Sequence, residues 1–160
     1  METIIRNQVI SDIFQLVENE DGRLCLTRPR FDYDIIIVLS DMPGIKCRGS
    51  QEQLESIGFT RVGSAAGTTV HDGKVDVHSV GYFRGTLFFG NFFFGDIMVS
   101  MEETASRLQF ILPKKFFTAI YVDFIHQTVS LSMESNYVNV GGIIQQMNQA
   151  ATEAMAEDSE

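Results

Sequence analysis

The chain has no tryptophan, only two cysteines and only three prolines in 160 residues. The cysteines, Cys25 and Cys47, stand alone, without the CxxC or Cys/His spacing of a zinc site, so no metal is expected. A chain this long buries about two-thirds of its unfolded surface and needs neither a disulfide nor a metal to fold. Cations are also scarce. Twelve Lys and Arg against 21 Asp and Glu leave a net charge of −9. Such a chain repels nucleic acid and anionic lipid unless a local basic patch intervenes. The densest basic stretch, Arg23, Arg28 and Arg30, is interleaved with Asp21, Asp32 and Asp34 and reads as a mixed surface. No nucleic-acid partner is expected.

Long apolar runs are missing too. The longest candidate, Thr86 to Met101, is interrupted by Gly90, Asn91, Gly95 and Asp96. It falls short of the roughly 18 uninterrupted apolar residues of a membrane helix. The start, METIIRNQVISD, has no basic region followed by an apolar core, so no signal peptide is read. The cytoplasm, with both thiols reduced, is the expected location. Gly85, Gly90 and Gly95 are not followed by Gly-Lys-Ser/Thr, so no phosphate cradle and no cofactor are expected. No repeat of 20–50 residues is present, which argues against solenoids and propellers.

What is present is phenylalanine, 13 of it, and a series of strand signals. Residues 13–28 hold two apolar-alternating runs around Asn19-Glu20-Asp21-Gly22, a hairpin signal because Asp-Gly tolerates positive φ. Residues 3–12 fit a helix as well as a strand. Residues 33–40 form the clearest strand. Ile35 to Leu39 is continuously apolar, which predicts burial on both faces, and the run ends in the turn Asp41-Met42-Pro43-Gly44. A helix follows, capped by Ser50 with Gln53 at the capping-box position and ended by Gly58. Gly67 to Gly73 reads as a glycine-bounded loop or hairpin tip, and Lys74 to Val80 alternates as a half-buried strand. Residues 82–101 predict two or three short strands broken by glycine, and Gly85, Gly90 and Gly95 would avoid crowding, permit a bulge or allow close backbone approach. Residues 107–112 make another strand, and Pro113 opens a short helix, PKKFFTA. A hairpin around His126-Gln127 and a helix over 143–155 precede an acidic tail, AEDSE. This order suits a mainly β fold, a small closed or semi-closed β-barrel with two short helices and a C-terminal helix. The chain divides into residues 1–32 with the first hairpin, a barrel core over 33–133, and the terminal helix with its disordered tail over 134–160.

The order of elements over residues 33–133 resembles the retropepsin-like (retroviral-type) aspartic peptidase family. The residues that carry this are the strand DIIIVLS running into Asp41, the helix ending Leu54-Glu55-Ser56-Ile57-Gly58-Phe59, and the glycine-containing hairpin GTTVHDGKVDV in the place of a flap. Phe110-Ile111-Leu112-Pro113-Lys114-Lys115-Phe116-Phe117, then Tyr121-Val122-Asp123-Phe124 and Thr128-Val129-Ser130-Leu131, resemble the elements that close that fold. The resemblance implies a homodimer, because only one such Asp turn exists per chain. Asp41 would be the catalytic aspartate, with Gly67, Thr68, Thr69 and Gly73 of the flap against a bound peptide or protein segment. Two aspartates sharing one proton activate a water between them. The family's Asp-Thr/Ser-Gly is here Asp41-Met42-Pro43-Gly44, and its Ile-Leu-Gly is Ile111-Leu112-Pro113. Met42 supplies no hydroxyl and Pro43 removes an N–H. These departures imply a catalytically degenerate member.

Other residues carry competing readings. Asp before Pro-Gly is ordinary turn chemistry. Neighbouring residues on a strand face opposite ways, so Phe92, Phe93 and Phe94 cannot all enter one core unless both faces are covered, which predicts a covering element or a subunit interface. His71, His78 and His126 with nearby aspartates lack ligand spacing and read as surface histidines. Neither cysteine sits in a nucleophile motif. The acidic tail reads as a solubility aid or a site for a basic partner. The alternative to a peptidase-fold domain is a non-enzymatic β-rich assembly protein, chaperone or phage structural component that oligomerises through the Phe-rich strands.

Overall fold

A computed structural model describes residues 9–18, 23–28, 32–134 and 137–158 of the chain. Ten strands, a short helix and a long terminal helix follow in the order β1 (Val9–Glu18), β2 (Leu24–Thr27), β3 (Asp34–Val38), β4 (Ile45–Gly49), α1 (Gln51–Ser56), β5 (Thr60–His71), β6 (Lys74–Phe89), β7 (Phe92–Glu103), β8 (Gln109–Pro113), β9 (Ala119–Asp123), β10 (Thr128–Glu134) and α2 (Tyr137–Asp158). All ten strands join one sheet in the order β5-β6-β7-β4-β8-β3-β2-β1-β10-β9. Most pairs are antiparallel, but β3 runs parallel to β8 and β4 parallel to β7.

The sheet is rolled. Phe14 on β1 lies 5.6 Å from Phe89 and 6.1 Å from Phe92, which belong to strands near the other edge. Asp12 accepts the Asn91 backbone N–H at 2.8 Å and an Arg28 guanidinium hydrogen bond, while the Tyr33 hydroxyl donates to the Phe88 carbonyl. The tip of the β6–β7 hairpin is thus pinned to β1 and to the start of β3. Inside the roll lies a large apolar cluster in which Phe14, Leu26, Ile35, Phe83, Phe92, Phe94, Phe110 and Leu131 are almost fully buried.

Of the expected closed or semi-closed barrel, closure is not found: β5 and β9 are the two edges and do not pair with each other. The roll is fixed by side-chain packing, and the backbone ladder stops short of a ring. Three further expectations change. Residues 82–101 belong to two long strands, β6 and β7, because Gly85 and Gly95 sit at an irregularity in the register that bends the pair without ending it. Only Gly90, at φ +58, marks a real turn. The helix expected after Pro113 is a single 3-10 turn, Lys114–Phe116, and the chain returns to extended backbone at Phe117. The third is Lys74 to Ser79, expected half-buried and found exposed on both faces. Alternation reports that a strand has two faces; it does not report whether anything covers either.

Other expectations are met. The Ser50 hydroxyl accepts the Gln53 N–H at 3.2 Å and Gln53 returns a bond to the Ser50 N–H at 2.9 Å, a complete capping box that buries Leu54. Ile36 packs with Cys25, Met42 and Ile111 in a second, smaller cluster, so Ile35 to Ile37 are covered on both faces as expected. The expectation fails at the end of the run, where Leu39 lies beyond β3 and is exposed. Strand β1 pairs with β2, and Val9 to Asp12 are strand. The turn expected at 19–22, residues 3–8 of the undecided segment and the last residues of the acidic tail lie outside the described residues.

Candidate functional site

Residues 39–44 connect β3 to β4, two strands that are separated in the sheet by β8. Val38 pairs opposite Pro113, the last residue of β8, so the connection crosses the end of that strand. Met42-Pro43 and Pro113 are therefore brought to the same end of the sheet. Met42 is buried in the smaller apolar cluster, where a hydroxyl would find no such packing. Asp41 is exposed and makes no hydrogen bond or ion pair with another described residue.

Beside this turn lies a cleft of about 210 Å³, lined by Pro43, Gly44, Lys46, Tyr82, Ser100 and Ala151 among others. Its floor follows from the register. Ser100 on β7 pairs with Lys46 on β4 and with Tyr82 on β6, so ammonium, hydroxyl and phenol stand in one row across three adjacent strands. Burial pushes the Tyr82 phenol above its ordinary pKa. One wall is α2. Asn148 accepts the Met98 backbone N–H at 2.9 Å and donates to the Asp96 carbonyl at 2.8 Å. Asp96 sits at φ +56 beside the register irregularity, so the Asn148 amide satisfies backbone groups at the place where β7 bends. Ala150, Ala151 and Ala154 keep that wall low.

The β5–β6 hairpin runs on to an exposed tip. Gly67, Thr68 and Thr69 lie on the far half of β5, and Gly73 forms the turn with Asp72, at φ +74 and +50. Positive φ at both positions is the geometry of a tight two-residue hairpin turn. Val70, Val75 and Val77 are 71 %, 63 % and 71 % exposed. Nothing in the sheet pairs with the outer edge of β5.

The Phe cluster divides. Phe92 and Phe94 are in the core, with Phe94 5.1 Å from Phe116. Phe93 is outside, paired with Phe88 at 4.9 Å, and both rings are 57 % exposed. No group of His, Cys, Asp or Glu suited to a metal occurs among the described residues. His126 instead bonds Asp123 at 2.7 Å within its own turn. Burial pushes the Cys25 thiol up to about 11 and the Cys47 thiol up to about 12, which removes the thiolate a nucleophile needs. The residues that sequence reasoning missed are Asn148 and the Lys46–Ser100–Tyr82 row. The row depends on the parallel β4–β7 pairing, which leaves no local mark. The alanines at 150, 151 and 154 were the one available hint of a cleft wall.

No family model and no curated protein matches the sequence. Among solved structures the chain is similar to a retropepsin-like aspartic protease from Rickettsia conorii, at 11% identity and a TM-score of 0.47, over 83% of this chain and 98% of that one.

Proposed function

We propose that this chain is a retropepsin-like domain that works as a dimer and binds an extended peptide or protein segment by strand addition at the projecting hairpin. The observation that carries this reading is the ribbon over residues 66–79, which is largely exposed and whose β5 edge has no partner. Two strands alone are marginal in water, and a third strand supplies both the missing ladder and cover for Val70, Val75 and Val77. Gly67, Thr68, Thr69 and Gly73 would then line the added strand.

Asp41 is the acid that a second protomer would meet across a two-fold axis. Two such carboxylates held close share a proton, and the ionised one draws a proton from the attacking water. Met42 offers no hydroxyl to brace the turn and Pro43 no N–H, so binding is the primary activity and cleavage the degenerate one. The test is solution mass across concentration, followed by titration with a fluorescent mixture of casein peptides. The expected result is a dimer of the 18.0 kDa chain that binds peptide, with binding retained in Asp41→Ala and lost in Thr68→Pro. A strict monomer, or peptide binding unaffected by Thr68→Pro, ends the reading.

The Phe88–Phe93 pair favours a second reading, assembly through the outer face of the β6–β7 hairpin. Loss of the oligomer in Phe93→Asp with peptide binding intact would assign the contact to that face.

A further inference from the structure

We propose that the cleft between α2 and the row Lys46–Ser100–Tyr82 is a binding site for a short aliphatic carboxylate, with the carboxylate on the row and the hydrocarbon against the helix. The three side chains present an ammonium and two hydroxyls on one line, because Ser100 is the cross-strand partner of both Lys46 and Tyr82. Every one of them can donate a hydrogen bond, and none of them is an acid. The next pair along the same strands, Arg48 and Glu102, is joined at 3.2 Å, so its charges offset each other. Lys46 has no carboxylate partner among the described residues. In a chain of net charge −9 this is a local positive spot, and it selects an anion.

The rest of the lining is apolar. Pro43, Met98, Met147, Ala151 and Ala154 surround the row, and two methionines give walls that adapt to a flexible chain. The volume, about 210 Å³, lies below the roughly 300–1,000 Å³ of pockets for drug-sized ligands, so the occupant is small. An anionic head and a tail of a few carbons satisfy both halves of the lining. A phosphate would leave the apolar wall uncovered, and a hydrocarbon alone would leave the Lys46 ammonium without a counter-charge. The site uses neither Asp41 nor the projecting hairpin, so it stands or falls apart from peptide binding.

The experiment is a backbone-amide NMR titration of the full chain with hexanoate, and with 1-hexanol as the uncharged control. The expected result is saturable shifts confined to Gly44, Lys46, Ser100 and Ala151 and their neighbours, with hexanol at least about tenfold weaker. That ratio follows from a charge-assisted hydrogen bond of about 1.5–3 kcal/mol. Lys46→Met keeps the stem and removes the charge. It should weaken hexanoate about tenfold and leave hexanol unchanged. Ala151→Leu fills the cleft and should abolish both; Ala154→Leu, at a less buried position, makes the same test if Ala151→Leu does not fold. Equal binding of hexanoate and hexanol, hexanoate affinity unchanged in Lys46→Met, or no saturable shift overturns the proposal. So does binding of an acetylated tripeptide ending in leucine when hexanoate does not bind, which would make the occupant a peptide terminus.

Discussion

Replacing Asn148 by alanine tests how the terminal helix is held to the sheet. The Asn148 amide makes two bonds to β7, accepting from the Met98 N–H and donating to the Asp96 carbonyl. Met98 is 7 % exposed, so its N–H has little access to water once the amide is gone, whereas the Asp96 carbonyl lies in an exposed contact. The lost donor satisfaction therefore dominates. A part-buried N–H left unpaired costs about 1–3 kcal/mol, and the carbonyl adds little because water replaces its partner. With about 2 kcal/mol as the central value and 2–4 °C per kcal/mol for a chain of this size, Tm should fall by roughly 4–8 °C. The assay is thermal and urea unfolding followed by circular dichroism. Gln149→Ala, one residue along on the exposed side of the helix, serves as control. Amide exchange adds a local readout, with Met98 losing protection in Asn148→Ala ahead of its neighbours Ile97 and Val99. Asn148→Asp keeps the acceptor for Met98 and loses the donor, so it should fall between the wild type and alanine. If Asn148→Ala unfolds within about 0.5 kcal/mol of the Gln149→Ala control, the range of ordinary surface substitutions, the helix is held by apolar packing alone and the reasoning fails.

Phe14→Ala removes a ring that touches both Phe89 and Phe92 across the roll of the sheet, and should cost about 3–5 kcal/mol in urea unfolding; a loss under 1 kcal/mol would mean the roll does not depend on that contact. With thiols at about 11 and about 12, the native protein at pH 8 holds less than roughly one part in a thousand as thiolate, so Ellman's reagent should react only on addition of denaturant. Rapid titration of two thiols without denaturant contradicts this. The backbone N–H and ring of His126, with the Ile125 N–H, hold the Asp123 carboxyl below its ordinary range. A carboxyl depressed in the folded state contributes stability that is present above the unfolded value near 4 and lost as pH falls through the folded value. The stability gap between the wild type and Asp123→Asn should therefore shrink between pH 5 and pH 2 in urea titrations. A gap that widens on acidification reverses the assignment.

Local chemistry in the sequence was legible where the signal and its partner lie close together. Ser50 and Gln53 announce the capping box three residues apart, and the glycine-bounded stretch Gly67 to Gly73 announces a hairpin tip, although only Asp72 and Gly73 form the turn and Gly67 to His71 are strand. The unbroken apolar run Ile35 to Leu39 announces a strand covered on both faces, although it says neither by what nor that the cover stops before Leu39. The candidate site is different in kind. Lys46, Ser100 and Tyr82 become neighbours only through one parallel and one antiparallel pairing between distant strands. Glycine at 85 and 95 announces relief of crowding or a bulge, and both occur: a Cβ at Gly85 would lie 2.7 Å from the Phe59 ring, and the register shifts beside it. What the glycines do not announce is that the strands run on through them. The exposure of Val75 and Val77 depends on what does not pack against them, which no periodicity records.

The pairing of β1 with β10 sets Val9 opposite Glu134, more than three-quarters of the chain's length apart. During synthesis at about 5–20 residues per second, the first strand waits several seconds for its partner to be made. The β5–β6–β7 meander needs only its own neighbours and is free to form in that interval. Until β1 arrives, the face of Phe89 and Phe92 that Phe14 covers in the finished fold stays open to other chains. Nascent molecules on one polysome are then the natural competitors for that surface, and yield during expression should depend on how quickly the last forty residues emerge.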